Sequence, residues 1–216
     1  MEIFVEGVSR KSIAPDEVIA NIFFKAQGKT QEEVIQRGIN DVTTFTNVVV
    51  AGVGLPSDSL MTKNFSISED RVYNEETRRH EVVGYHFNQF ASIKMDYNNE
   101  LLSKFLSLVS SLESSPEINF QFGLKEEDKY ASELIDEVYK DAKRKARMLA
   151  IASNKTLEDS VMLELKNDSN MQVFRSQSNF DSGILKTMNI NNVDTSYIHP
   201  EDIEVEVRIA SKWLAN

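Results

Sequence analysis

The chain of 216 residues contains no cysteine. That excludes disulfide frameworks, thiolate metal sites and cysteine nucleophiles. Histidine is nearly as scarce. His80, His86 and His199 are the only three, and they fall in a polar hairpin tip, a strand and a turn before Pro200. A metal site or a base–nucleophile pair needs such groups to converge, and these settings predict no convergence. Glycine and proline number eight and four, and no phosphate loop is built from them. Gly52-Val53-Gly54 follows a helix, whereas a dinucleotide or P-loop fingerprint lies between a strand and a helix. Basic residues are outnumbered 24 to 34, for a formal net charge of −10. A surface with that excess repels phosphate backbones and anionic headgroups, so no nucleic-acid partner is expected. No apolar run approaches the ~20 residues of a transmembrane helix. Met1-Glu2-Ile3-Phe4-Val5-Glu6-Gly7 lacks the basic-then-apolar pattern of an export signal. The expectation is a cytoplasmic protein; the alternative is an exported one whose signal has been removed.

What is present is an ordinary globular balance, with 41% hydrophobic and 27% charged residues, enough to bury a core at this length. Residues 3–14 and 17–26 read as strands on either side of the turn Ala14-Pro15-Asp16. Val18, Ala20, Ile22 and Phe24 alternate on one face. Residues 30–50 read as a helix opened by a capping box, Thr30 with Glu33, with Ile35, Ile39, Val42, Phe45 and Val49 as its buried stripe. Gly52, Gly54 and Pro56 stop it. Residues 60–73 and 82–95 form a long hairpin, with 74–80 as a polar, exposed connection. A second helix spans about 98–112, and Ile118, Phe120 and Phe122 alternate in the strand that follows.

The third helix, about 128–153, is the longest. Ala131, Ile135, Val138, Ala142, Ala146 and Leu149 make its stripe, and alanine there lets it sit close to a sheet. Its acids come early and its bases late, which complements the helix dipole. Asp136–Lys140 and Asp141–Lys145 are spaced as i, i+4 pairs. Those pairings explain the basic run as a solvated face rather than a phosphate contact, and no aromatic residues interleave it. A strand at about 160–165 comes next, and Ile203, Val205, Val207 and Ile209 alternate in the last one.

Residues 167–199 differ in character. They are rich in Asn and Ser and lack periodicity, yet they carry Phe174, Phe180, Ile184 and Leu185. Apolar residues in such a segment need cover. Two readings stand side by side: these four pack across a subunit boundary, or they cover the chain's own sheet. The element order is therefore β-β-α-β-β-α-β-α-β-arm-β. The fold expected is α+β, with antiparallel sheets from long hairpins and three helices packed on them.

Several of these features in order resemble the SIMPL domain family. They are Val5-Glu6-Gly7, Ala14-Pro15-Asp16, the helix from Thr30, Gly84-Tyr85, the alanine-rich run from Asp141 to Ala150, and His199-Pro200 before the last strand. The similarity covers nearly the whole chain. Two departures stand out. Asn154 takes the place of a glycine common after the third helix, and the export signal of many bacterial members is not seen. The resemblance implies a family without agreed catalytic residues. Some bacterial members are associated with stress tolerance and with ring-like homo-oligomers, and an animal member is linked to kinase signalling.

The expectation drawn from all this is one domain over 1–216, with a division into lobes at about 1–96 and 97–216 as a variant. It is read as a non-enzymatic assembly or interaction protein and a homo-oligomer, with no cofactor and no metal. The alternative is a small-ligand binder of unknown ligand, with a cleft between sheet and helices lined by Phe87 and Tyr85. An enzyme with an unfamiliar site is the third reading.

Overall fold

The computed structural model describes residues 1–114, 116–165, 177–178 and 198–216. In chain order it holds β1 (Glu2–Ile13), β2 (Glu17–Gly28), α1 (Gln31–Phe45), β3 (Met61–Asn74), β4 (Arg79–Asp96), α2 (Asn99–Ser110), β5 (Glu117–Gly123), α3 (Glu127–Ala152), β6 (Leu157–Leu165), β7 (Gln177–Ser178) and β8 (Ile203–Ala215). The fold is α+β, and every ladder among the described residues is antiparallel. The order of strands and helices follows the sequence reading, with one addition. β7 is a two-residue strand inside the expected arm, paired with Phe120 and Gln121 of β5.

The chain forms two compact units, and neither is a consecutive stretch. The first holds β1, α3, β6 and β8, with strand order β1-β8-β6. The second holds β2, α1, β3, β4, α2, β5 and β7, with strand order β3-β4-β2-β5-β7. The Pro15 turn closes no hairpin. β1 pairs along its whole length with β8, from Glu2 opposite Leu214 to Ile13 opposite Ile203, whereas β2 lies between β4 and β5.

In the first unit α3 packs its small residues on the sheet. Leu134, Val138, Ala142, Ala146 and Ala150 are buried, but Ile135 and Leu149 are exposed. The buried stripe is thus displaced by one position at each end, to Leu134 in place of Ile135 and to Ala150 in place of Leu149. Trp213, the only tryptophan, is fully buried. Its indole N–H donates to Ser211 Oγ at 2.9 Å, and that hydroxyl donates to the Val5 carbonyl at 3.0 Å, so the polar atom of a buried ring is satisfied.

In the second unit Val18, Ala20, Ile22 and Phe24 of β2 face a core shared with α1 and α2. Phe24, Phe45, Phe105 and Phe120 meet there edge to face in a chain of ring contacts. Thr30 caps α1, its hydroxyl accepting from the Glu33 N–H at 3.2 Å. The return bond of the capping box goes to Lys29 N–H instead of Thr30 N–H. Val34, Gly38 and Phe45 face the core while Ile39 is exposed, a correction to the predicted stripe. Gly38 faces the sheet because the Phe87 ring fills the place a side chain would take. The helical stretch runs on through a π turn, Thr46–Val50, and a last turn, Ala51–Val53. Gly54, at φ 86°, is the left-handed stop, whereas Gly52 lies inside the last turn. At the end of α3, Asn154 takes the left-handed conformation at φ 57°, as expected of asparagine in place of glycine.

Candidate interaction surface

The β3–β4 hairpin is the largest feature of the second unit that is not consumed by its core. β3 has 14 residues and β4 has 18. β2 lies beside β4 only as far as Gly28, which stands opposite Tyr85. From there to the tip the ribbon has two strands. Toward the core, Phe87, Ala91, Ile93 and Met95 of β4 are buried. Toward the tip, Val72, Tyr73, Val82 and Val83 are all exposed. Val72 stands opposite Glu81 and Val82 opposite Arg71, so these two valines lie on opposite faces of the ribbon.

The tip is ordered by its own polar groups. Asn74 Oδ1 accepts from the N–H groups of Glu76 and Thr77 at 2.9 and 3.2 Å. Glu81 accepts from Thr77 Oγ at 2.8 Å and Asn74 Nδ2 at 3.0 Å, which lowers the pKa of its carboxyl. His80 packs edge to face on Tyr73, with ring centroids 5.3 Å apart.

β3 is the edge strand of its sheet, and nearly all of it is exposed. Its pairing with β4 is irregular at Thr62–Asn64 and again at Asp70–Arg71. Between these lies a regular run, Asn64 to Asp70, paired with Phe90 back to Gly84. Phe65 and Ile67 share the helix-side face with Gln89 and Phe87, and the Phe65 and Phe87 rings are 6.1 Å apart. Phe65 nevertheless remains 58% exposed, an unusual state for phenylalanine that leaves its outer half for another surface.

The two edges of the other sheet contrast with each other. Along β1, side chains of α3 occupy the edge. Asp141 Oδ2 accepts from the Val8 N–H at 3.0 Å, Lys145 Nζ donates to the Glu6 carbonyl at 2.9 Å, and Ser9 Oγ donates to Glu137 at 2.8 Å. Burial pushes the Asp141 carboxyl up, but Lys145, the Val8 N–H and Arg144 together outweigh it and hold it at about 2. The predicted pairs Asp136–Lys140 and Asp141–Lys145 both form, at 2.5 and 2.7 Å. Arg144 joins Asp141 at 2.6 Å. β6, at the opposite edge, exposes Val161, Met162, Leu163 and Leu165.

Of the residues singled out from sequence, Phe174, Phe180, Ile184 and Leu185 lie outside the described residues. Phe87 and Tyr85, considered as the lining of a cleft, both lie against the core of the second unit. Phe87 is 3% exposed, and a Cβ on Gly38 would lie 2.3 Å from its ring, while Tyr85 packs partly buried on the same core. The histidines stay apart in role. His80 rests on Tyr73, His199 is exposed, and His86 Nε2 lies 3.5 Å from Asp70 with its Nδ1 buried and without a partner. Among the described residues no group of three or more histidine, aspartate or glutamate side chains is placed to hold a metal ion. Among the same residues no helix is long and apolar enough to cross a membrane.

The hairpin surface was only half legible in sequence. Its two strands and polar tip were foreseen. That β2 stops short and leaves the outer ribbon uncovered depends on a register that periodicity alone does not carry.

Comparison with known proteins adds the family. No curated protein matches the chain. The family model described as SIMPL, protein of unknown function (DUF541), matches residues 3–213. That span takes in both units and the whole hairpin, and the chain belongs to the SIMPL family.

Proposed function

We propose that this protein is a non-enzymatic assembly protein whose copies join into a homo-oligomer through the β3–β4 hairpin. One observation carries the reading: the outer hairpin is a two-stranded ribbon with Val72, Tyr73, Val82 and Val83 exposed across both faces. A two-stranded ribbon alone is marginal in water, and exposed apolar side chains gain free energy when a partner covers them. The polar network at the tip keeps the ribbon in shape without hiding those side chains. Edge strands that are not meant to pair are shielded, as α3 shields β1. β3 carries no comparable cover among the described residues.

The test is the mass of the purified chain by light scattering across a range of concentration. A mass that is a multiple of the single chain supports the proposal, and a single-chain mass at every concentration overturns it. A stress-related role, which rests on the family resemblance alone, belongs to the same proposal. A deletion strain that survives heat and oxidant as well as its parent would remove it.

A further inference from the structure

The edge of β3 specifies more than the presence of a partner, if copies of this chain assemble as just proposed. We infer that the occupant of this edge is β3 of a second copy, paired antiparallel about a two-fold axis that passes through Ser66. A sheet continuous through both copies results.

Three features of β3 select this register. The first is where the strand is regular. Its irregular pairings at Thr62–Asn64 and Asp70–Arg71 bracket the stretch able to extend a ladder. The second is charge. Lys63, Glu69, Asp70 and Arg71 are the charged residues of β3, so Asn64 to Ser68 is an uncharged window centred on Ser66. A two-fold at Ser66 maps that window onto itself. It also brings Lys63 of each copy, whose Nζ bonds Asn21 on the face away from the helices, toward Asp70 of the other on that same face, at both ends of the contact. Moving the axis to Phe65 would instead set Lys63 opposite Ile67, and moving it to Ile67 would set Phe65 opposite Glu69.

The third feature is the faces. Residues directly opposite in an antiparallel pair lie on the same face. Phe65 and Ile67 are both on the helix side, as their partners Gln89 and Phe87 show. With the axis at Ser66, Phe65 of one copy meets Ile67 of the other, twice, in one apolar patch of four side chains. Asn64 meets Ser68, and Ser66 meets itself, on the polar face. α1 lies over β2 and β4, on the inner part of the sheet. A contact of this length is small beside a standard interface of about 1,600 Å². The pairing is therefore reversible by itself and is trapped best by a covalent bond.

The absence of cysteine makes that trap clean, since an introduced thiol is the only one present. Ser66→Cys puts two thiols across the axis. Opposite Cα atoms in an antiparallel pair are about 4.5–5.5 Å apart, within disulfide range. Asn64→Cys places its thiols about 13 Å apart along the strands, at ~3.3 Å per residue, which is out of range. Mild oxidation of S66C should shift the chain to a covalent dimer on a non-reducing gel. N64C alone and S68C alone should stay at single-chain size, and the double variant N64C/S68C should dimerise. Ser66 is exposed, and an unchanged thermal midpoint of reduced S66C checks that the fold is intact.

The outcomes separate the two ideas. If the wild type has an oligomeric mass but neither S66C nor N64C/S68C cross-links, the pairing at β3 is wrong and the assembly reading stands. Cross-linking of N64C as readily as S66C also overturns the register. A single-chain mass for the wild type overturns both.

Discussion

Gly7 of β1 and Ala142 of α3 lie so close that a Cβ on the glycine would fall 2.9 Å from the alanine Cβ and 2.3 Å from the Val138 carbonyl oxygen. This gives a physical reason for two of the sequence features that pointed to the family, the glycine in Val5-Glu6-Gly7 and the alanine-rich helix. Neither is about chemistry. Both let a helix press onto a strand.

Gly7→Ala should therefore destabilise the protein. Alanine normally suits a strand interior better than glycine, by roughly 0.5–1 kcal/mol. Here a backbone oxygen stands in the way, and moving it means moving α3. Overpacking of this kind costs about 1–3 kcal/mol, so the steric term wins. A urea midpoint that rises on substitution would show that the close approach is not as described.

The same contact is pinned by Asp141, which accepts from the Val8 N–H and pairs with Lys145 and Arg144. Its pKa falls from 3.8 to about 2 on folding. A depressed carboxylate contributes stability above its unfolded pKa and loses it as pH falls through the folded one. Asp141→Asn should cost about 2 kcal/mol at pH 7. The gap between variant and wild type should close as pH drops from about 4 to 2. Denaturant midpoints across that range measure it, and a gap independent of pH would contradict the assignment.

Glu206 provides a second acid-sensitive point in the same unit. Its side chain is 4% exposed, and it bonds both Arg208 on its own strand and Arg10 on β1. The Arg208 hydrogen bond lowers its pKa; burial opposes this, and Arg10 adds to the lowering. The linkage has the same sign as for Asp141. Glu206→Gln should weaken the fold by about 1–3 kcal/mol at neutral pH, since two guanidinium groups lose their shared carboxylate. The loss should shrink below the unfolded glutamate pKa of 4.5. An equal midpoint for variant and wild type at pH 7 would contradict it.

Much of this architecture was visible in the sequence, and the failures have specific causes. Alternation identified the strand faces, as in Val18 to Phe24 and Ile203 to Ile209. Capping residues identified helix ends, down to the left-handed Asn154. The stripes of α1 and α3 were misplaced at Ile39, Ile135 and Leu149, because hydrophobicity competed with space. Gly38 yields to the Phe87 ring, and Ala142 faces Gly7, so at these two close approaches a small residue faces the sheet where periodicity alone favours a larger one. The pairing of β1 with β8 joins the two ends of the chain and has no local signal. The four arm residues chosen from composition lie outside the described residues. Among the described residues, exposed apolar side chains lie at the outer hairpin and β6, on strands that sequence read as ordinary, and also along α3 at Ile135, Met148, Leu149 and Ile151.

The outer hairpin makes a sharp prediction about substitution. Val72→Ser, Val82→Ser and Val83→Ser together should lower the mass of the assembly. They should leave the thermal midpoint of the dissociated chain nearly unchanged, since exposed positions shift stability by only about ±0.5 kcal/mol. A triple variant that keeps the wild-type mass would move the interface away from the hairpin.

The most direct test of assembly is the mass of the purified 216-residue chain in solution, by multi-angle light scattering over a dilution series. One chain has a mass of 24.6 kDa. Assembly through the hairpin predicts a whole-number multiple of that mass at high concentration, falling toward smaller species on dilution. A constant 24.6 kDa throughout the series would contradict it.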